Sequence, residues 1–356
     1  MEKEVVSFKE FYKETSSKLN KVINDYNNNL VSDKYGYLKD NLELFKNLNS
    51  DGKLFRGNLI SLGYKMMGNS NIDYSLHLSL AYEIFQTSVL IHDDIIDNDN
   101  LRRGKETIHY SNYKKYNKYN ELDSKKVSES IGICIGDYGF YESNKVIIDN
   151  YSSDKNFSNI LSFYNDVVLK TIHGELIDVI SSFDSKYNLN KVNVEDNVML
   201  IYKLKTAHYT ITGPLSLGMI LGGAHANDLK LIEEFGEKIG IAFQIQDDIL
   251  GIYEDMGKVV GSDIKEFKQT ILLSYLINNS NYLDELLKYY GNEDLTLDDI
   301  NKVRDIFKKS GAYDYSVNLM NRLYDEGLHL INNMSISNED KNILKGFVLY
   351  LKERKK

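Results

Sequence analysis

The residues best suited to chemistry lie in the run Asp93-Asp94-Ile95-Ile96-Asp97. Asp93 and Asp97 are four apart, so on a helix their carboxylates emerge on one face about one turn from each other. Like charges at that spacing repel. The apolar stretch 88–91 just ahead places them at the inner end of a buried helix. A cation resolves the conflict. Hard carboxylate oxygens suit magnesium, which takes a few carboxylates together with substrate phosphate oxygens. The other reading of such a motif alone is a solvated helix end. A second pair, Asp247-Asp248, closes the amphipathic stretch Gln244-Ile245-Gln246-Asp247-Asp248-Ile249-Leu250-Gly251. Two such helices facing each other could clamp a diphosphate through metal ions.

Cations stand beside both motifs. Arg102 and Arg103 follow the first, Lys258, Lys265 and Lys268 the second, and Lys53 and Arg56 lie three apart upstream. Arginine binds phosphate oxygens with two parallel hydrogen bonds, and lysine contributes a compact charge. Taken singly, each is an ordinary surface cation. Their shared position next to acidic helix ends gives them a function. The whole chain carries a formal charge of -9 over 356 residues, which argues against a nucleic-acid partner. Cys134 is the only cysteine. An internal disulfide and a thiolate cluster are therefore excluded, and Cys134 is expected to pack as a small hydrophobe. The charged start Met1-Glu2-Lys3-Glu4 has no apolar signal core. The weakly polar run 211–224 is too short and too Gly-rich to span a bilayer, so a cytoplasmic protein without a transmembrane segment is expected.

The elements that must position these groups are helical. Phe8, Phe11, Tyr12, Thr15 and Leu19 share one face, as do Leu76, Leu80, Ile84, Thr87 and Ile91. The stretches 131–148, 160–180, 198–223, 229–252, 269–290 and 337–355 also read as helices, and Pro214 is the only proline. Polar loops are expected at 47–52, 97–105, 116–124, 149–156, 184–193 and 254–266. No stretch alternates with period two, so strands are poorly supported. A single all-α domain over residues 1–356 is the economical reading.

With these motifs in this order, from about Gly52 to Lys268, the chain resembles the trans-isoprenyl diphosphate synthases, the family of farnesyl and geranylgeranyl diphosphate synthases. The matching residues are Asp93, Asp94 and Asp97 followed by Arg102-Arg103-Gly104, then Gly174-Glu175-Leu176-Ile177-Asp178, Lys205-Thr206, and Phe243 through Asp248. The resemblance implies a bundle of long helices around a deep central cavity, usually a homodimer. It implies a prenyltransferase that condenses isopentenyl diphosphate with dimethylallyl, geranyl or farnesyl diphosphate. It implies Mg2+ (Mn2+ may stand in) held by Asp93, Asp97 and Asp247, with Asp94, Asp178 and Asp248 accessory. Arg102, Lys205 and Lys258 then grip the allylic diphosphate. Lys53, Arg56, Gln86 and Arg103 form the isopentenyl diphosphate pocket, and Lys268 assists. Thr206 and Gln244, with Lys205, face the carbon that becomes cationic, and Phe243 could present an aromatic face there. His92 and Tyr209 are expected to be structural.

Three positions depart from the family pattern. Gly251 replaces the last aspartate of the second motif, Gly57 stands where proline is common, and Glu175 where glutamine is common. A terpene cyclase of the same fold would not need Lys53, Arg56 and Gln86. A non-catalytic regulatory subunit would have lost more than Gly251. For product length, the family places bulky aromatics four and five residues before the first aspartate when chains stop early. Here those positions are Val89 and Ser88, both small, with Phe85 a turn deeper as the expected floor. An isoprene unit is roughly 5 Å, near one helical turn, which points to geranylgeranyl diphosphate as main product with some farnesyl diphosphate. The alternative is farnesyl or a longer polyprenyl diphosphate.

Overall fold

A computed structural model describes residues 2–30, 36–187, 189, 194–253, 261–279, 281–292 and 294–354, residue 37 by its backbone alone. It is built almost wholly of helices: α1 (Glu2–Asn29), α2 (Gly36–Ser50), α3 (Phe55–Met66), α4 (Leu76–Ile96), α5 (Ile108–Tyr116), α6 (Glu121–Tyr151), α7 (Phe157–Tyr187), α8 (Val194–Ile201), α9 (Gly213–Leu221), α10 (Ala226–Tyr253), α11 (Ser262–Lys265), α12 (Ile271–Asn279), α13 (Leu283–Leu286), α14 (Leu297–Lys309), α15 (Ala312–Asn333) and α16 (Asn338–Lys352). The all-α expectation holds. The one β feature among the described residues is a two-residue ribbon, Leu101–Arg102 against Lys105–Glu106. Its turn, Arg103-Gly104, has φ of 54° and 75°. Positive φ at both central residues is what a type I′ hairpin needs.

The chain forms two compact units. One comprises residues 9–162 and 217–224, the other 1–8, 163–216 and 225–356. In the first, α4 packs along α6. Gly132, Gly136 and Gly139 of α6 let the helices close: a Cβ on them would fall 2.6 Å from Ile95, 2.2 Å from His92 and 2.1 Å from Ser88. In the second, α10 lies against residues 202–212 and against α15.

The first acidic motif keeps its expected place at the end of a buried helix, α4 running through Ile96. Several expected boundaries shift. Helix α2 runs into the loop expected at 47–52. The helix expected over 269–290 stops at Asn279, where the sequence turns to Asn and Ser, residues whose side chains compete for backbone groups. The helix expected over 198–223 is three pieces, α8, a π-helix at Tyr202–Thr212, and α9. Pro214 cannot donate to the carbonyl four residues back, which disfavours ordinary α pairing there. Glycines from two neighbours leave room for the wider turn. A Cβ on Gly174 would stand 2.4 Å from the Lys205 nitrogen, and one on Gly240 2.3 Å from the Ala207 Cα. Cys134, expected inside, is exposed on α6; the α6 positions that face α4 are taken by glycines on either side of it.

Candidate active site

The unit holding the first motif presents one face of α4. Gln86, Val89, Leu90, Asp93 and Asp97 are each half-buried, and steps of three and four put them in one row. Asp97 caps α4, its N–H donating to the Asp93 carbonyl at 2.8 Å. Carboxylates at the negative end of a helix are disfavoured twice, by each other and by the helix carbonyls. Arg102 answers part of that charge. It donates to Asp94, and its Nη2 lies 2.9 Å from Asp93 Oδ2 and 3.6 Å from Asp99 Oδ2. Asp94 is 2% exposed, and burial pushes its carboxyl up to about 7 against the pull of Arg102. Burial opposes the Arg102 charge, but Asp94 and Asp93 outweigh it and hold the guanidinium ionised. Arg102 thus sits on the acidic motif itself.

Nearly three turns before Asp93 on α4, Glu83 lies near Arg56 and Arg103. Its carboxylate is fully buried and accepts from the Gly57 N–H at 2.7 Å. Proline at that position could not donate, so the departure at Gly57 supplies a hydrogen bond. Burial holds Glu83 above the ordinary carboxylate range, while Gly57, Arg56 and Arg103 pull it down. The segment 52–57, with Lys53 and Arg56, wraps this carboxylate, and Gln86 follows one turn on. Sequence reasoning missed Glu83 because an acidic residue in an apolar helix carried no motif. Its placement one turn before Gln86 was the available signal.

The expected chain-length residues divide. Val89 shares the face of Asp93. Ser88 is fully buried on another face, donates to the Ile84 carbonyl at 3.1 Å and meets Gly139 of α6. Phe85 is fully buried between Tyr82 and Phe140, 5.4 and 5.7 Å away by ring centroids. His92 places Nε2 3.1 Å from the Ile133 carbonyl and 3.6 Å from Asp137.

The second unit carries the rest. Lys205, on the π-helix, reaches Asp178 at 2.7 Å and Glu175 at 2.8 Å, both on α7. Thr206 donates to Gln244 Oε1 at 2.6 Å, and Gln244 Nε2 donates to Asp248 Oδ1 at 2.8 Å. Tyr202 donates to Asp248 Oδ2 and accepts the Ile271 N–H at 2.9 Å. Burial, helped by nearby Asp263, pushes Asp248 up to about 8. Asp247 is half-buried and ion-paired to Arg354, whose guanidinium lies 4.5 Å from the Phe243 ring centroid. Burial brings Arg354 down to about 10. Gln246 Nε2 donates to the Arg354 carbonyl at 3.0 Å. Lys268 lies 3.0 Å from Glu266. Lys258 falls outside the described residues. Asp263 and Tyr202 escaped the sequence reading. A Cβ on Gly251 would lie 3.5 Å from Asp263 Oδ2, so a carboxylate from elsewhere stands next to the position where the motif lacks its own.

Among the described residues, no three His, Cys, Asp or Glu side chains are already arranged as a metal cage. That donor set suits a cation held by one or two carboxylates and completed by phosphate oxygens. Backbone strain points to the same places. The non-glycine residues with left-handed φ among the described ones are Leu54 (55°), Asn98 (53°), Arg103 (54°) and Phe267 (58°). They flank Lys53, Asp97 and Lys268 or are themselves candidates, and strained residues of this kind cluster at functional sites.

Built of helices, with aspartate pairs at the end of α4 and within the last turns of α10 and cations beside them, the described residues suit the handling of diphosphates. The sequence pattern of the polyprenyl synthetase family matches residues 41–307, and the chain belongs to that family of prenyltransferases, whose members use divalent metal for diphosphate binding. It is 27% identical over 337 residues to the geranylgeranyl diphosphate synthase of Sulfolobus acidocaldarius, covering 92% of each chain. It is 29% identical over 274 residues to a short chain isoprenyl diphosphate synthase of Methanothermobacter thermautotrophicus, 76% of each. Its fold is that of a Corynebacterium glutamicum geranylgeranyl pyrophosphate synthase solved with isoprenyl diphosphate and magnesium. That likeness has a TM-score of 0.86 at 24% identity, covering 98% of this chain and 99% of the other.

Proposed function

We propose that this chain condenses isopentenyl diphosphate head to tail with allylic diphosphates, giving mainly geranylgeranyl diphosphate and some farnesyl diphosphate. The observation that carries this reading is the pair Arg56 and Arg103 around the buried Glu83, with Lys53 next to that segment in sequence and Gln86 one turn further along α4. A cyclase acting on one diphosphate has no use for it. Asp93, Asp97 and Asp247 would hold Mg2+ or Mn2+, which would supply positive charge against the diphosphate leaving group. Lys205 adds its charge to that diphosphate, as Lys258 and Lys268 do in this reading. Asp94, Asp178 and Asp248 act behind these groups. Thr206 and Gln244 offer oxygen lone pairs to the allylic cation without attacking it, a stabilisation that exists only once the bond has begun to break. The isopentenyl double bond attacks, and the proton lost from its neighbouring carbon leaves with the released diphosphate.

The activities of the relatives and the small Val89 on the Asp93 face support a twenty-carbon product. Residues 1–356 work as one catalytic domain in this reading. A homodimer is supported by α7, where Leu169, Ile172, Leu176, Ile180 and Phe183 form an exposed apolar stripe at helical spacing. No helix among the described residues is long and apolar enough to cross a membrane, which supports a cytoplasmic site of action.

The test is a product assay on the purified chain with isopentenyl diphosphate and five-, ten- or fifteen-carbon starters, with Mg2+ and with excess chelator. Twenty-carbon product that needs the metal is expected. No incorporation of isopentenyl diphosphate would sink the reading.

A further inference from the structure

Five groups of the second unit form a hydrogen-bonded series, and its direction is decided at one end. The Ile271 N–H can only donate, and it donates to the Tyr202 oxygen. The Tyr202 proton is then free to go to Asp248, which accepts it at Oδ2. Asp248 Oδ1 accepts from Gln244 Nε2 at 2.8 Å; this bond and the one from Tyr202 favour the carboxylate form against burial, and they leave Gln244 Oε1 turned toward Thr206. Thr206 gives its proton to that oxygen at 2.6 Å. What remains on the far side of Thr206 and Gln244 is lone pairs and no O–H proton. Tyr202, Asp248 and Thr206 are 3%, 4% and 8% exposed, so water has little access with which to reverse the order.

We infer that Tyr202 and Asp248 are positioning residues that fix the polarity of the acceptors facing the allylic cation. The inference rests on the reading of Thr206 and Gln244 as the groups nearest that cation. A cation is favoured by lone pairs and disfavoured by a proton pointed at it. Were the series to run the other way, Thr206 would present its proton and Gln244 its NH2. The same two side chains, in the same places, would then oppose the charge they now favour. Neither Tyr202 nor Asp248 needs to touch substrate. Asp248 does this from behind Gln244 and is not called on to hold metal. Tyr202 belongs to none of the acidic or basic motifs and is tied to them only through the fold.

The test compares Tyr202→Phe, Asp248→Asn and Gln244→Leu in steady-state turnover of geranyl and isopentenyl diphosphates with Mg2+, alongside thermal midpoints. Tyr202→Phe should lower kcat about tenfold, the effect of one misdirected hydrogen bond, with both KM values and the Mg2+ half-saturation within about twofold of wild type. Geraniol, formed when water adds to the cation and releases a proton, should rise as a share of product. Asp248→Asn should give the same signature and stands in if Tyr202→Phe does not fold. Wild-type kcat in both variants, or losses confined to KM, would overturn the inference if Gln244→Leu is slow. A Gln244→Leu enzyme with wild-type kcat would instead overturn the reading of the cation site, and the inference with it.

Discussion

Gly174→Ala adds a single methyl at the closest helix approach around the candidate lysine. The new Cβ would lie 2.4 Å from the Lys205 nitrogen, 2.8 Å from its Cα and 2.9 Å from the Leu204 carbonyl carbon. All three are backbone atoms, so no side chain can swing aside. Unbonded heavy atoms settle at about 3.5 Å or more, so α7 and the π-helix must part by about 1 Å. Overpacking of this kind costs about 3 kcal/mol at the upper end of its usual range. Alanine returns up to about 1 kcal/mol through helix propensity. The net loss is about 2 kcal/mol, worth about 3 °C of melting temperature in a chain of this size. The same 1 Å displaces Lys205, now 2.7 and 2.8 Å from Asp178 and Glu175. A shift of that size can cost about a hundredfold in rate. Gly251→Ala is the control, because its Cβ meets only Asp263 Oδ2 at 3.5 Å, and it should hold or raise the melting temperature. Differential scanning calorimetry and steady-state turnover decide. If Gly174→Ala melts within a degree of wild type with full turnover, the contact does not set the position of Lys205.

Other perturbations test other parts. Burial, with Lys170 and Lys203 nearby, brings His208 down to about 4. Below pH 6.5 the unfolded chain therefore binds a proton that the folded chain refuses, and stability falls from pH 6.5 to about 4 by as much as about 3 kcal/mol. Denaturant titrations at pH 7 and 4.5 should show that fall shrinking in His208→Gln. Removing Arg354, the partner of Asp247, should tighten Mn2+ binding about two- to fivefold, the worth of a partly exposed ion pair. Electron paramagnetic resonance of free Mn2+ in the presence of inorganic diphosphate would read it, and unchanged affinity would count against a metal at Asp247. Val89→Phe should shorten the product, because Val89 lies on the Asp93 face. Ser88→Phe meets Gly139 and should cost about 1–3 kcal/mol of stability instead, as product chromatography and melting curves would show.

Much of this molecule was legible from spacing alone. Period-3.6 runs gave the helices, and paired aspartates with following cations marked both candidate half-sites. What spacing hid was long-range. Tyr202 reaches Asp248 across 46 positions, and Glu83 finds its partner at Gly57, 26 positions earlier. No local pattern encodes either contact. The π-helix was hidden because its cause lies partly outside itself, in glycines of α7 and α10 that allow a wide turn. Cys134 was misplaced because average burial of cysteine says nothing about which side of α6 it occupies. Ser88 and Val89 are adjacent in sequence but about 100° apart around the helix, so one position relative to Asp93 could not describe both.

Leu54, Asn98, Arg103 and Phe267 carry a consequence for anyone selecting heat-tolerant variants. Glycine at Asn98 or Arg103, both exposed, would relax a backbone that now stores about 1 kcal/mol or more at each residue. A screen on survival at high temperature would collect such changes. Each would also let the loop beside Asp97 or the turn bearing the arginines wander, since glycine widens what the chain can do when unfolded and when folded alike, and at Arg103 it would in addition remove a cation assigned to the isopentenyl diphosphate pocket. Heat tolerance and turnover would then move in opposite directions at these positions, and a screen that scores only survival would select slower catalysts.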